Sequence, residues 1–557
     1  MATEPRHPAL RLFVFLLAVY GATASGHFYI SDSRVKLMVA ESLVDRGTVA
    51  LPTSEVQHVM GADHRPYSPW APGTSLVMVG CVLAGRGLDG AAGLGPVSAH
   101  YLVTLLSDLT NAVFTAATAA ILVLFARHLG YATATALSLG LLFGLATPAW
   151  PLSKTSLSEV PAACAVSLAF YLGARWASGA LPVGWIVGAG LALGVGGLFV
   201  YPTLMLVPWL LGWVVLEATR AGRPGGQTAR GVAGCLAALV LAQVPSLVYN
   251  HVRFGSWLST GYSFGMDVHL ARRAGLATAA VLACVLVVIA VSRRRIGAST
   301  AVREWAVALG VLLALMVVQF DVFEGFFRHL LSPCDGQLFY CPPLALVALG
   351  AWPFVRRWPL AGGVVASAVA TYLYVASSGL TSTWSWGSRY VVPVLPLGLL
   401  LALPVLEPRW GGTLRRAACR AIVAFGFLVQ VLGVSGSYHV YKDEAMQRSI
   451  ARMKPGPSWA GHELRFVYDA ELFSVKKQWE KVRTMETWTF PVGPVTDRVE
   501  IDRLRGRFPD FWWCYAALSG VPPGPIRSLM AVALAVVAVC GLVLARAVRG
   551  APAEADR

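Results

Sequence analysis

Charged residues are scarce in this chain of 557 residues. Asp, Glu, Lys and Arg make up 13% of the sequence, whereas hydrophobic residues make up 56%. Soluble domains carry about 25% charged residues, and a disordered chain combines low hydrophobicity with high net charge. The composition therefore excludes both a single soluble globular domain and a disordered chain.

Motifs of several soluble enzyme classes are also missing. The chain has no Walker A sequence and no HExxH. It leaves no room for a Rossmann-like domain, which a nucleotide-sugar enzyme would need. The nine cysteines include no CxxC pair, and most lie in apolar runs as small buried hydrophobes. Cys334 and Cys341, in or near one predicted outer loop, are the candidate disulfide.

Long apolar runs dominate the sequence instead. A transmembrane helix needs about 20 apolar residues. The 183–218 region fits either one long span or a pair broken at Pro202, and the short run at 73–85 fits a dip into the membrane interface. The sequence therefore predicts an all-α polytopic membrane protein with about fourteen transmembrane helices. The predicted spans are 9–26, 99–126, 131–149, 160–178, 183–200, 201–218, 231–249, 274–292, 304–320, 338–354, 359–377, 390–406, 419–437 and 528–546.

The basic residues set the predicted orientation. The net charge of +16 is spread in short clusters between the apolar runs, which favours a topology signal over nucleic-acid binding. With the N-terminus inside, the inner loops hold 20 of the 45 Lys and Arg residues against six acids. The N-terminal run could alternatively be a cleaved signal peptide. This topology predicts a catalytic core over 1–437 with a first outer loop at 27–98, a small outer segment at 438–527, and a last helix and inner tail at 528–557.

The first outer loop is the most informative part of the chain. Residues 33–46 are predicted to form a helix that carries Arg34, Glu41 and Asp45 on one narrow face, which suits a helix in the membrane interface. Asp32 stands just before this helix. From its spacing alone, Asp32 fits a helix N-cap better than a catalytic residue.

Four motifs, scattered over the first 396 residues, together resemble those of one known family. That family is the GT-C type of membrane glycosyltransferase, close to the bacterial relatives of protein O-mannosyltransferases and of the lipid A aminoarabinose transferase. No single motif is specific, and their order and predicted side of the membrane carry the likeness. The motifs are Asp32…Glu41…Gly47, Tyr67-Ser-Pro-Trp-Ala-Pro-Gly73, Thr147-Pro-Ala-Trp-Pro-Leu-Ser-Lys-Thr-Ser-Leu-Ser-Glu159 and Trp386-Gly-Ser-Arg-Tyr-Val-Val-Pro-Val-Leu-Pro396, with weaker matches at Tyr249–Gly255 and Leu331–Pro333.

The resemblance implies a GT-C fold and a sugar donor carried on polyprenyl phosphate. It also implies transfer at the outer face with inversion at the anomeric carbon, and it assigns Asp32 as the catalytic base. Two positions depart from the family pattern. Tyr201 stands before Pro202 where an Arg is common, and Asp335 occupies a turn that often holds a basic residue.

Fixed cations would stabilise the charge that develops on the departing lipid phosphate. Arg389 is the first candidate, because a guanidinium binds phosphate through two nitrogens. Lys154 is the second, and Arg272 and Arg273 follow. Each also fits a simpler interpretation: Arg389 and Lys154 could snorkel to the interface, and Arg272 and Arg273 could anchor a span.

Glu159 is a candidate second acid of the site. It opens a predicted span, where a Glu also favours the helix dipole. As a functional group it would orient the acceptor or, together with Asp32, hold Mg²⁺ or Mn²⁺ on the donor phosphate. The sequence leaves these alternatives open.

Further polar residues are weaker candidates. His64, Tyr67 and Tyr262 could contact sugar hydroxyls. Asp108 lies within a predicted span, where an acid is a candidate functional group or forms an interhelical hydrogen bond.

The sequence thus predicts an inverting glycosyltransferase in the cell inner membrane, with its active site facing the periplasm or exterior. Its partners would be a polyprenyl-phosphate-linked sugar and a glycan, lipid or protein acceptor, with no nucleic acid. A polytopic transporter or flippase of lipid-linked glycans is the alternative function. A catalytically silent scaffold of the same fold is a third.

Overall fold

The computed structural model consists of packed α-helices with a two-stranded hairpin. It describes residues 7–93, 96–179, 181–261, 320–334, 336–377, 385–440, 442, 474–485, 504 and 506–549. Two 3₁₀ helices, Tyr201–Leu206 and Arg389–Val394, interrupt the helical pattern. The antiparallel strands are β1 (Val59–Met60) and β2 (Pro66–Tyr67). The α-helices are α1 (Pro8–Thr23), α2 (Ser31–Arg46), α3 (Gly73–Ala92), α4 (Pro96–His128), α5 (Thr133–Ala146), α6 (Ala149–Leu152), α7 (Glu159–Ser178), α8 (Gly184–Phe199), α9 (Val207–Arg220), α10 (Gly225–Phe254), α11 (Phe320–Leu331), α12 (Gln337–Tyr340), α13 (Leu344–Arg357), α14 (Pro359–Ser377), α15 (Leu395–Leu400), α16 (Leu403–Leu406), α17 (Thr413–Ser435), α18 (Ser474–Arg483), α19 (Trp512–Leu518) and α20 (Pro523–Arg549).

Apolar helices confirm the prediction of an all-α, multi-pass membrane protein. In the part of the chain that the structure describes, seven helices are long and apolar enough to cross a membrane, and five shorter helices are also apolar. The predicted span 274–292 and almost all of 304–320 lie outside the described residues. The total of fourteen spans therefore stays a prediction.

Two predicted elements differ from the observed ones, and the structure decides between the two alternatives for a third. The run at 73–85 belongs to α3, a helix of 20 residues that is long enough to span a membrane rather than a short dip. The 183–218 region is a pair of helices, because Val200 takes an extended backbone between α8 and the first 3₁₀ helix. The predicted span 390–406 is broken into the second 3₁₀ helix, α15 and α16, where Pro393, Pro396 and Pro404 remove backbone donors.

Small residues let the helices approach closely. Gly190 of α8 lies against the backbone of Cys235 in α10, so closely that an added methyl group would overlap the Cys235 carbonyl. Close contact between backbones is the usual function of glycine on membrane helices. The candidate disulfide is absent from the structure: Cys334 and Cys341 are both buried thiols.

The first loop is fixed onto the helices from two directions. The Arg253 side chain, fully buried at the end of α10, donates to the carbonyl oxygen of Ser68, and the Ala62 amide donates to the Arg253 carbonyl at 2.9 Å. The hydroxyls of Thr74 and Ser158 are 2.7 Å apart. These bonds hold the 67–74 turn against the loop that leads into α7.

Candidate active site

Helix α2 presents Asp32 at its N-terminal end. The helix begins at Ser31, two residues earlier than predicted, so Asp32 lies in the first turn rather than at the N-cap, which is Ile30. At the other end, Gly47 takes a left-handed backbone with φ of 61°, a conformation that favours glycine. The Gly47 amide donates to the Leu43 carbonyl at 3.2 Å, and the Thr48 amide donates to the Ser42 carbonyl at 3.4 Å. Both ends of α2 are thus defined locally, and its dipole favours a negative charge at Asp32.

A buried cluster of opposite charges joins three distant motifs. One terminal nitrogen of Arg389 lies 2.9 Å from a carboxylate oxygen of Asp32, and Nε of Arg389 lies 3.5 Å from Oε1 of Glu159. All three side chains are less than 12% exposed. Glu159 is in the first turn of α7, so both acids are placed at positive helix ends. We call Asp32, Glu159 and Arg389 the acid–arginine cluster.

Lys36 lies beside this cluster and was not predicted. It follows Asp32 by one helical turn and is 2% exposed. Burial lowers the pKa of Lys36 and the nearby Arg389 charge lowers it further, whereas Asp32 and Glu159 oppose that change. The sequence did contain a signal for Lys36: it follows Asp32 by four residues and lies on the largely apolar side of a predicted amphipathic helix.

Arg389 is held by the turn that precedes it. Gly387 has φ of 75° and lies against Gln337, Ser388 Oγ is 2.6 Å from Nδ1 of His329, and the Trp386 indole donates to Gln430 at 3.1 Å. These contacts fix the turn that starts the second 3₁₀ helix.

Lys154 lies in a different buried network. Its ammonium is 2.9 Å from Asp510, which also accepts from the Tyr29 hydroxyl and lies 2.6 Å from Nε2 of His27 and 2.9 Å from the Tyr515 hydroxyl. Burial alone would raise the pKa of Asp510, but Lys154, His27 and these hydrogen bonds bring it well below the usual carboxyl range. We call this the Asp510 network. It was missed because Asp510 lies in the 438–527 segment, for which the motifs predicted no role.

The predicted sugar contacts lie on the hairpin or outside the described residues. His64 is exposed at the hairpin turn, and Tyr67 is buried and donates to Asp63 at 2.9 Å. Burial and this bond raise the pKa of Tyr67 to about 12. Among the described residues, neither forms a hydrogen bond or ion pair with the acid–arginine cluster. The positions of Tyr262, Arg272 and Arg273 lie outside the described residues.

Asp108 is fully buried in α4, and Ser156 donates to it at 2.6 Å. The hydrogen bond joins a membrane helix to the loop before α7, so Asp108 has a bonding partner in a loop rather than in a second helix. Asp108 thus helps to position the loop that leads to Glu159.

The cluster offers a divalent cation two carboxylates. Within the described residues, no group of three or more His, Cys, Asp and Glu side chains is arranged to hold a metal ion. Oε2 of Glu159 is buried and has no hydrogen-bond partner in the described part of the chain, so it is available as an oxygen ligand. Mg²⁺ often binds through one or two carboxylates plus substrate phosphate, and Asp32 and Glu159 fit that pattern only together with a phosphate.

No family model and no curated protein sequence matches the chain. Several solved structures are similar to it, among them the following three. ArnT from Cupriavidus metallidurans in the apo state is 14% identical. The match covers 87% of this chain and 81% of that protein, with a TM-score of 0.45. The same protein bound to undecaprenyl phosphate is 15% identical. The match covers 88% of this chain and 82% of that protein, with a TM-score of 0.43. A third structure is the archaeal oligosaccharyltransferase AglB from Archaeoglobus fulgidus in complex with an inhibitory peptide and a dolichol-phosphate. It is 11% identical, and the match covers 85% of this chain and 56% of that protein, with a TM-score of 0.43.

Proposed function

We propose that this protein transfers a sugar from polyprenyl phosphate to an acceptor hydroxyl, with inversion at the anomeric carbon. The observation that supports it is the acid–arginine cluster itself. A carboxylate and a guanidinium from motifs more than 350 residues apart, Asp32 and Arg389, lie 2.9 Å from each other in a buried site. The reaction needs a base for the acceptor hydroxyl and a cation for the departing phosphate.

Asp32 would act as the general base. As the acceptor oxygen bonds to the anomeric carbon, the hydroxyl proton passes to the Asp32 carboxylate. The bond between the anomeric carbon and the phosphate oxygen breaks, and its electron pair stays on that oxygen. Polyprenyl phosphate is the leaving group.

Arg389 would stabilise the departing phosphate. A guanidinium has five N–H donors in a fixed plane, so it can contact Asp32, Glu159 and a phosphate oxygen together. The charge that develops on phosphate would thus meet a positioned cation. A Mg²⁺ or Mn²⁺ ion, if used, would be held by Asp32 and Glu159 and would neutralise phosphate charge. Lys154 is absent from this scheme because its charge pairs with Asp510.

The direct test is transfer of radiolabelled sugar from a panel of polyprenyl-phosphate sugars by the purified protein. We expect Asp32→Asn to reduce transfer about 100-fold or more, since a general base contributes about 10²–10⁴ in rate. Asp45→Asn is the matched control, because it removes a carboxylate from the exposed end of the same helix. EDTA in a parallel reaction tests the metal.

Absence of turnover with any donor, together with an Asp32→Asn protein that still functions in cells, would contradict the proposal. A transporter or flippase would then be favoured. Equal losses for Asp32→Asn and Asp45→Asn would indicate damage to α2 rather than loss of a base.

A further inference from the structure

Lys36 is a buried cation whose ammonium has no hydrogen-bond acceptor among the described residues. Its side chain is 2% exposed, and the ammonium lies 5.6 Å from the centre of the Trp70 ring. A cation–π contact of this kind offsets only part of the cost of removing an ammonium from water. The structure therefore leaves Lys36 with unused donors inside the site.

The neighbouring acids are already engaged by another cation. Asp32 and Glu159 both lie within 4 Å of Arg389. Both acids are close enough to influence the pKa of Lys36, yet neither forms an ion pair with it in the part of the chain described here. A buried charge without a paired partner is unfavourable, unless a ligand supplies the partner. An anion fits this position.

We propose that Lys36 binds the phosphate of the lipid donor, opposite Arg389, so that the phosphate lies between two cations from α2 and the second 3₁₀ helix. This assignment rests on the proposed function. In this assignment Lys36 binds the phosphate and Asp32 takes the proton, so Lys36 is a binding residue. Trp70 would position the ammonium from the side of the 67–74 turn.

The unused donors of Lys36 support a phosphate. Asp32 and Glu159 already face Arg389, whereas the ammonium of Lys36 has no acceptor among the described residues. Burial lowers the pKa of Lys36, and a bound phosphate would oppose that effect by favouring the charged ammonium. Lipid phosphate would thus bind more tightly than its uncharged alcohol.

The test measures binding of undecaprenyl phosphate and of undecaprenol to the full-length protein in nanodiscs. We expect Lys36→Met to weaken undecaprenyl phosphate binding at least tenfold and to leave undecaprenol binding unchanged. Lys36→Arg should retain most of the affinity. Arg34→Met is the matched control: it removes one positive charge from an exposed position on the same helix, and it should bind like the wild type.

Kinetics separate a phosphate contact from a structural role. Lys36→Met should raise the KM for the lipid donor and leave the KM for the acceptor unchanged. Its unfolding temperature should not fall, because the variant removes a buried charge that lacks a partner. A variant that folds normally and binds undecaprenyl phosphate as the wild type does would overturn the assignment.

Two further results are informative. Inorganic phosphate that displaces the lipid at equal concentration would show a site for free phosphate and would overturn the lipid assignment. A wild-type protein that neither binds undecaprenyl phosphate nor transfers sugar would contradict the proposed function. Wild-type transfer with unimpaired binding by Lys36→Met would contradict only the assignment of Lys36.

Discussion

At the scale of single residues, Asp32 and Arg389 depend on each other. They form a buried ion pair at 2.9 Å, and Glu159 is the second acid on the same guanidinium. Removal of one member of a buried pair leaves an uncompensated charge, which costs about 3–5 kcal/mol. The cluster therefore contributes to stability as well as to the proposed chemistry.

This coupling can be measured. We expect Arg389→Met to lower the free energy of unfolding by about 3–5 kcal/mol, and the double variant Arg389→Met/Asp32→Asn to recover part of that loss, because one of the two unpaired carboxylates is gone. Unfolding monitored in detergent for the wild type, both single variants and the double variant gives the interaction energy. Additive losses would show that Asp32 and Arg389 do not interact in the folded protein.

Sequence patterns identified all three members of the acid–arginine cluster. Asp32, Glu159 and Arg389 were predicted from motifs and from their shared side of the membrane, and the structure brings them together. Hydrophobic periodicity can place residues at the same end of a bundle. It gives no distance between them, so it could not show that Arg389 lies between the two acids. The roles assigned to these residues stay predictions.

At the scale of elements, the turn at 385–388 controls the position of Arg389. Gly387 has φ of 75°, and a methyl group on it would lie 2.8 Å from the Gln337 side-chain oxygen and 2.9 Å from Cβ of Tyr340. A residue with a side chain is thus disfavoured both by its backbone conformation and by space. The family-like Trp-Gly-Ser-Arg motif has a physical reason for its glycine.

We expect Gly387→Ala to lower the free energy of unfolding by about 1–3 kcal/mol and to reduce sugar transfer by displacing Arg389. Gly398→Ala, in α15, is the matched control, since its added methyl would meet Val369 at an ordinary 3.9 Å. It should be neutral or slightly stabilising, because Ala favours helix over Gly by about 1 kcal/mol. Equal effects of the two substitutions on stability and transfer would argue against a special role for the turn.

The two spans that differ from their predictions do so for different reasons. Span 390–406 has enough apolar residues, but its prolines at 393, 396 and 404 favour short helical pieces. The apolar run at 73–85 ends at the small and charged residues near 86, but helix α3 continues to Ala92. Arg86 is compatible with that helix because it pairs with Asp45 of α2. Such tertiary partners are invisible to a hydropathy pattern.

At the scale of the whole molecule, the Asp510 network joins distant parts of the chain. His27, Lys154 and Asp510 come from the first loop, the loop before α7 and the segment before α19. The Trp512 amide donates to the Ala24 carbonyl, and the Asp510 amide donates to the Ser435 carbonyl at 3.0 Å. None of these contacts can be predicted from the sequence, because residues nearly 500 positions apart produce no local pattern that links them.

The network predicts an acid-sensitive contribution to stability. Because the pKa of Asp510 is lowered in the folded protein, its contribution is complete above the ordinary carboxyl pKa near 3.8 and is lost as the pH falls below it. We expect Asp510→Asn to be less stable than the wild type at pH 7, by about 3–5 kcal/mol, and the difference to shrink as the pH falls from 4 to 3.

Unfolding temperatures in detergent from pH 3 to pH 7 check this expectation. The control is Asp89→Asn, a carboxylate on α3 without a side-chain partner among the described residues; it should lower stability little at any pH. A difference between the wild type and Asp510→Asn that stays constant down to pH 3 would contradict the assigned role of the carboxylate.

The Asp510 network has a consequence for how the protein is made. A ribosome synthesises His27 and Lys154 hundreds of residues before Asp510. Both side chains therefore lack their acidic partner until late in synthesis. The loop that carries Tyr29 into α2 is secured only when this late segment docks. The candidate active site is therefore completed near the end of synthesis. A chain that stops before residue 504 would lack Asp510 together with α19 and α20, and its first loop would lose the contacts that hold it.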